Sequence, residues 1–132
     1  MASLARQNYH QDCEAAVNKQ INLELHASYL YFSVSYYFDR DDVALPGFQA
    51  FYIKSSDRER KRAEKWMKFQ NSRGGRIVFQ DIQKPQLDEW TGAMEALQVA
   101  LELEKSLNKS LLDLHMIAEK HNDKHMSNFI EG

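Results

Sequence analysis

The stretch SSDRERKRAEKWMKFQ, residues 55–70, reads at first as a surface helix crowded with charge. Ala63 and Trp66 recur at helical spacing with Phe48 and Tyr52 upstream, and on that wheel Glu59 falls at the middle of the apolar side. An unpaired ionised carboxylate held there would cost on the order of several kcal/mol, so it calls for a cation or a proton. The source of that cation decides what this helix, and the fold around it, is for.

Working outward, the breaks come from only 5 Gly and 2 Pro, and they cluster. Pro46 and Gly47 follow FDRDDVAL, Gly74 and Gly75 sit in NSRGGRI, and Pro85 and Gly92 flank QLDEWT. Between them lie three segments of helical periodicity, 11–39, 46–73 and 90–121. Pro46 suits the first turn of a helix, where its missing N–H costs nothing, and the Gly pair suits a helix stop. The run RIVFQDIQKP, 76–85, carries β-branched and aromatic residues and reads as extended. It must cross from one end of a bundle to the other, because helices of this length are roughly 40 Å long. Asn122 or Asp123 is placed to cap a short last helix. The sequence therefore predicts one all-α domain over 1–132, a helical bundle of three long helices and a stub of the fourth.

Bulk properties exclude several function classes. The chain has 132 residues, 43% hydrophobic and 27% charged, as expected for a single soluble domain with a real core. Its net charge of −2 points to neither nucleic acid nor an acidic membrane surface. One cysteine, Cys13, permits no internal disulfide and no cysteine-based metal framework, and its place on an apolar stripe makes it a core residue. No segment is apolar for long enough to span a bilayer, and MASLARQNYHQD lacks the apolar run of a secretory signal, so a cytoplasmic protein is expected. His10, His26, His115, His121 and His125 are scattered and form no HExxH or histidine-rich ligand set. No Gly-rich phosphate loop and no Ser-His-Asp signature is present.

Glu59 has counterparts on both other long helices. Glu24 lies at the centre of a face made by Cys13, Val17, Ile21, Ala27, Tyr31 and Phe38. Glu104 lies at the centre of a face made by Ala93, Leu97, Ala100, Leu101, Leu107, Leu111 and Ala118. Three carboxylates converging at one level of a bundle are what a hard, oxygen-preferring metal such as iron or manganese requires. Three residues beyond Glu59, however, stands Arg62, whose guanidinium reaches a carboxylate easily and satisfies it without metal. Glu59 is thus either a metal ligand or the anion of a buried salt bridge.

NLELHASYLY, FDRDDVALPGF, FQNSRGGRI, QDIQKP, DEW, ALELEKSLNKSLLDLH and FIEG, in this order and spacing, resemble animal ferritins over the whole chain. The resemblance implies a ferritin-like four-helix subunit of a hollow cage that oxidises ferrous iron at a di-iron centre and stores it as a ferric mineral. It implies Glu24, Glu59 and Glu104 as iron ligands, Tyr31 as the supporting phenol, and pairing of the 76–85 loop with the same loop of a second subunit. The chain departs from that pattern in three ways. Arg62 stands where the family has a histidine ligand. The fourth helix, with its glutamine ligand, is expected to be missing, so a truncated chain, of natural or engineered origin, is expected. The family's acids along the second helix give way to Arg58 and Lys61, leaving Glu64.

Lys54, Arg58, Lys61, Lys65 and Lys68 fall at i, i+4, i+7, i+11 and i+14, a basic stripe that is either a solvated face or a surface attracting anions. The expected function is an iron-storage subunit with a damaged oxidation centre and weak or no ferroxidase activity. The alternative is a non-catalytic scaffold for self-assembly with a basic surface. The partners expected are iron ions and further copies of the chain, meeting through the 76–85 loop and an apolar strip left open along Val17, Tyr52, Trp66, Leu97 and Leu111.

Overall fold

Helix α1, Gln11–Phe38, starts at His10, whose Nδ1 accepts the Asp12 backbone N–H and so satisfies one of the free donors of the first turn. The computed structural model describes residues 5–82, 84 and 92–132. Helix α2, Pro46–Ser72, begins with its proline in the first turn and closes at Arg73, after which Gly74 takes φ 78°. That left-handed conformation favours glycine and turns the chain out of the helix, so the Gly74-Gly75 stop is borne out. Helix α3, Ala93–Lys120, begins three residues later than the expected start at 90; residues 90 and 91 lie outside the described residues. Helix α4, Lys124–Glu131, is capped by Asp123, which accepts the Met126 N–H. No strand occurs among the described residues, and none of their helices is long and apolar enough to cross a membrane.

Helix α1 is the centre of the arrangement. It packs along α2 on one side and α3 on the other, while α2 and α3 do not meet through their backbones. The start of α2 and the start of α3 share one apolar cluster, with Tyr52 beside Ala96 and Ala100. Their ends share another, with Trp66 and Phe69 beside Leu114 and Ala118. The two helices therefore run in the same direction, so the end of α2 and the start of α3 lie at opposite ends of the bundle, as the expected crossing requires. The described part of this crossing lies along α1. Asn18 accepts the Val78 N–H and donates to the Arg76 carbonyl, and Asn22 does the same for Gln80 and Val78 one turn later. Two asparagines four residues apart thus replace a strand partner for an extended segment.

The two apolar clusters are separated by a polar layer. On α1 the break is at Gln20 and Glu24, on α2 at Ser55, Ser56 and Glu59, and on α3 at Ser110. Ser28 and Ser56 exchange hydroxyl-to-carbonyl bonds of 2.9 and 2.7 Å across α1 and α2, which holds the two helices close beside this layer.

The apolar face of α3 differs from the expected one. The buried positions are Ala96, Ala100, Leu103, Leu107, Leu114 and Ala118, whereas Leu101 is 50% exposed and Ala93, Leu97 and Leu111 are only half-buried. A helix touching one long neighbour buries the stripe facing that neighbour. The stripe expected from the wheel is turned toward a groove between α2 and α3, where Leu97 and Leu101 lie with Phe51. Phe48 likewise stands at the edge of its helix, 41% exposed. The expected open strip is corrected in part: Val17, Tyr52 and Trp66 are buried, and α4 contributes to that cover by laying Phe129 against Trp66 and Phe69.

Candidate metal centre

The polar layer brings together Glu24 and Glu59, and both side chains are fully enclosed, at 1% and 0% exposure. Glu24 Oε1 accepts 2.8 Å from Gln20 Nε2, one turn back on α1. Gln20 is itself held by a hydrogen bond from the Ser110 hydroxyl of α3. The other oxygen, Glu24 Oε2, is buried without a partner, and so is Glu59 Oε2. Two buried, unpaired carboxylate oxygens on facing helices form an acceptor site that a cation or a proton would satisfy.

Glu59 Oε1 is already occupied. Arg62 Nη1 donates to it at 3.1 Å and Arg58 Nε at 3.2 Å. Arg58 also spans the groove to α3, donating through Nη2 to Glu104 Oε1 at 3.0 Å. The same Glu104 oxygen accepts the Tyr31 hydroxyl, so an α1 phenol, an α2 guanidinium and an α3 carboxylate are tied at one point. Glu104 is not enclosed like the other two; its side chain is 40% exposed on the wall of the groove. The expectation that it sits at the centre of an apolar face is therefore corrected. Of the expected site residues, Glu24 and Glu59 lie together in the interior, and Glu104 and Tyr31 are joined to them through Arg58.

Electrostatics follow from this geometry. Burial and the adjoining Glu59 carboxylate, which can share a proton with the otherwise partnerless Glu24 oxygen and adds its negative charge, push the Glu24 carboxyl up to about 8 from the ordinary 4.5, against smaller opposing pulls from Gln20 and Arg62. At neutral pH Glu24 therefore keeps its proton. Burial and the bond to Glu104 likewise raise the Tyr31 phenol far above its ordinary range, so it stays a donor. Two guanidinium charges and one proton thus balance the three carboxyl groups without any metal.

Sequence reasoning missed three participants. Arg58 reads as one member of the basic stripe, yet its side chain turns inward to two of the three acids. Gln20 and Ser110 read as ordinary polar positions; the signal for Gln20 was its i−4 spacing from Glu24. The remaining stripe residues Lys54, Lys61, Lys65 and Lys68 are exposed, and Lys54, Lys61 and Lys65 line a shallow cleft of about 480 Å³ with Asp57, Arg58 and Arg62. The scattered histidines are also rearranged: His10 and His121 stack with ring centres 3.8 Å apart, and His115 lies 3.0 Å from Glu131.

The family model for the Ferritin-like domain matches residues 14–132. The chain is 62% identical over 130 residues to Soma ferritin of Lymnaea stagnalis, a match covering 98% of this chain and 75% of that protein.

Proposed function

The chain belongs to the ferritin family, and from that premise we propose an iron-storage subunit whose oxidation centre is blocked by its own arginines. Iron storage is the family function. The particular reading proposed here is that Glu24, Glu59 and Glu104 are the inherited iron-ligand positions, with Tyr31 beside them, and that they no longer form a working ferroxidase centre. The observation that carries it is the fully buried Glu59 carboxylate receiving both Arg62 and Arg58 on one oxygen.

Iron entering this layer competes for lone pairs that are already engaged. Ferrous iron is the substrate of such a centre, and it needs several oxygen or imidazole ligands around each ion. Here two of the three carboxylates carry guanidinium on Oε1, and the third carries a proton. A ferrous ion entering between Glu24 and Glu59 must displace that proton and share Glu59 with two fixed positive charges. The free Oε2 atoms permit weak binding of one ion and disfavour a pair. Anaerobic titration with ferrous iron tests this: weak binding is expected, and tight binding of two ions per chain would reject it.

A second reading, a scaffold with an altered surface, is favoured by a separate observation. Lys54, Lys61, Lys65 and Lys68 are exposed, and among the described residues no carboxylate lies within ion-pair distance of them. Such a face would draw anions where an iron-nucleating face draws cations. Polyphosphate should then bind in low salt and be released as screening shortens the field to about 10 Å at 0.1 M. Binding indifferent to salt would remove this reading.

The proposed partners are iron ions and further copies of the chain, with a cytoplasmic location. The contact surfaces proposed are the crossing loop, where Val78 and Phe79 are 57% and 62% exposed, and the groove between α2 and α3.

A further inference from the structure

The end of α3 meets the start of α1 at two imidazoles and a carboxylate. Asp12 Oδ2 lies 3.1 Å from His121 Nε2 and 3.6 Å from His10 Nδ1, and the three donor atoms all lie within 4.8 Å of one another. Bonds of about 2.0–2.2 Å from a zinc-like ion to nitrogen and oxygen place neighbouring ligands roughly 3–3.5 Å apart. The Asp12–His121 distance already matches that spacing, and the Asp12–His10 distance is just above it. Asp12 precedes Glu24 by twelve residues on the same helix, about 18 Å along its axis, so this cluster is separate from the carboxylate centre.

We propose that His10, Asp12 and His121 form a site for a borderline divalent cation of the zinc class, clipping the start of α1 to the end of α3. Two imidazoles and one carboxylate suit zinc, copper(II), nickel or cobalt, unlike the all-oxygen carboxylates of the bundle interior. His121 is held in place, with its side chain only 17% exposed. His10 is the adjustable member, with its side chain 51% exposed. Its ring lies nearly parallel to that of His121, at 17°, so the in-plane lone pairs do not yet converge. A rotation of the His10 ring brings Nδ1 onto the ion and releases the Asp12 backbone N–H that it caps. The negative end of the α3 dipole favours a cation and the positive start of α1 disfavours one, so Asp12 supplies the net attraction. Binding to the folded state alone then raises stability in proportion to ion concentration.

The test uses the full chain titrated with zinc sulfate. Bound zinc is counted by equilibrium dialysis, and thermal melting is followed in parallel. The variants are His121→Gln, His10→Ser, which keeps a capping oxygen at the start of α1, and Glu59→Gln in the interior. One zinc is expected at the cluster, with a concentration-dependent rise in Tm. His10→Ser and His121→Gln should each weaken it by about tenfold or more, since even the hydrogen-bond partners of a metal ligand are worth about 10–100-fold in affinity. Glu59→Gln should leave it unchanged. The imidazole nitrogen resonances of His10 and His121 should shift in step with that binding. Unchanged zinc affinity in both histidine variants, or imidazole resonances of the two rings that ignore zinc, would overturn the proposal.

Discussion

Arg62 is where the chemistry of this chain departs from an ordinary carboxylate site, and it is the residue to change first. Replacing it by histidine removes a charge-assisted bond to a fully buried carboxylate. Such bonds are worth about 1.5–3 kcal/mol, and the half-exposed guanidinium argues for the lower end or below. Arg62→His should therefore lower thermal stability in the absence of metal and recover it when ferrous iron is added under anaerobic conditions. A variant whose melting ignores ferrous iron would show that Arg58 alone closes the site. Glu24 offers a second test, through pH. Its folded-state value of about 8 lies above the ordinary 4.5, so between these values the native chain binds more protons than the unfolded one. Stability contributed by this group is complete below about 4.5 and is lost as pH rises through about 8. Glu24→Gln should flatten the decline in unfolding free energy between mildly acid and mildly alkaline urea melts. Parallel curves for the two proteins would contradict the shared-proton picture.

At the scale of elements, α4 shows how eight residues are held to a bundle. Asp123 caps it, accepting the Met126 N–H at 3.0 Å, and receives both terminal nitrogens of Arg73 at 2.8 and 3.0 Å. Arg73 also donates to the carbonyls of Gln7 and Asn8, so one guanidinium joins the end of α2, the start of α4 and the segment before α1. With both partners nearly enclosed, breaking this pair leaves a buried charge, at a cost of about 3–5 kcal/mol. Asp123→Ala should accordingly lower Tm by roughly ten degrees or more, and a shift within a degree or two would refute the assignment. The helices themselves were legible in the sequence, because Pro46, Gly74, Asp123 and the long apolar periods punctuate strongly. The orientation of α3 was not. Its Leu97, Leu101 and Leu111 make as good a stripe as Ala96, Leu103 and Leu107, and periodicity alone cannot say which one a neighbour covers. The same ambiguity hid Arg58, whose wheel position is that of a surface cation while its long side chain reaches back over the face.

The whole molecule exposes large apolar side chains in three places. Tyr29, Phe32 and Tyr36 form an exposed stripe on α1, Val78 and Phe79 stand out from the crossing loop, and Phe51 and Leu101 flank the groove between α2 and α3. Contiguous exposed apolar patches on soluble monomers rarely exceed a few hundred Å². Light scattering at micromolar concentration should therefore find an assembly of several copies, and a stable monomer would defeat that expectation. The enclosure of Glu24 and Glu59 was legible from acids at the middles of their helices, while Glu104 lies on the groove wall instead; the occupation of Glu59 and Glu104 by Arg58 and Arg62 emerged only when side-chain reach was added to helix position. The rate of ferrous oxidation by dioxygen reports on that occupation. The protein should be compared with a Glu24→Gln/Glu59→Gln variant, in which the interior ligands are gone and the helices are kept. With the ligands already occupied, the two should oxidise ferrous iron at indistinguishable, slow rates. A rapid oxidation in the unaltered protein that disappears in the variant would contradict it.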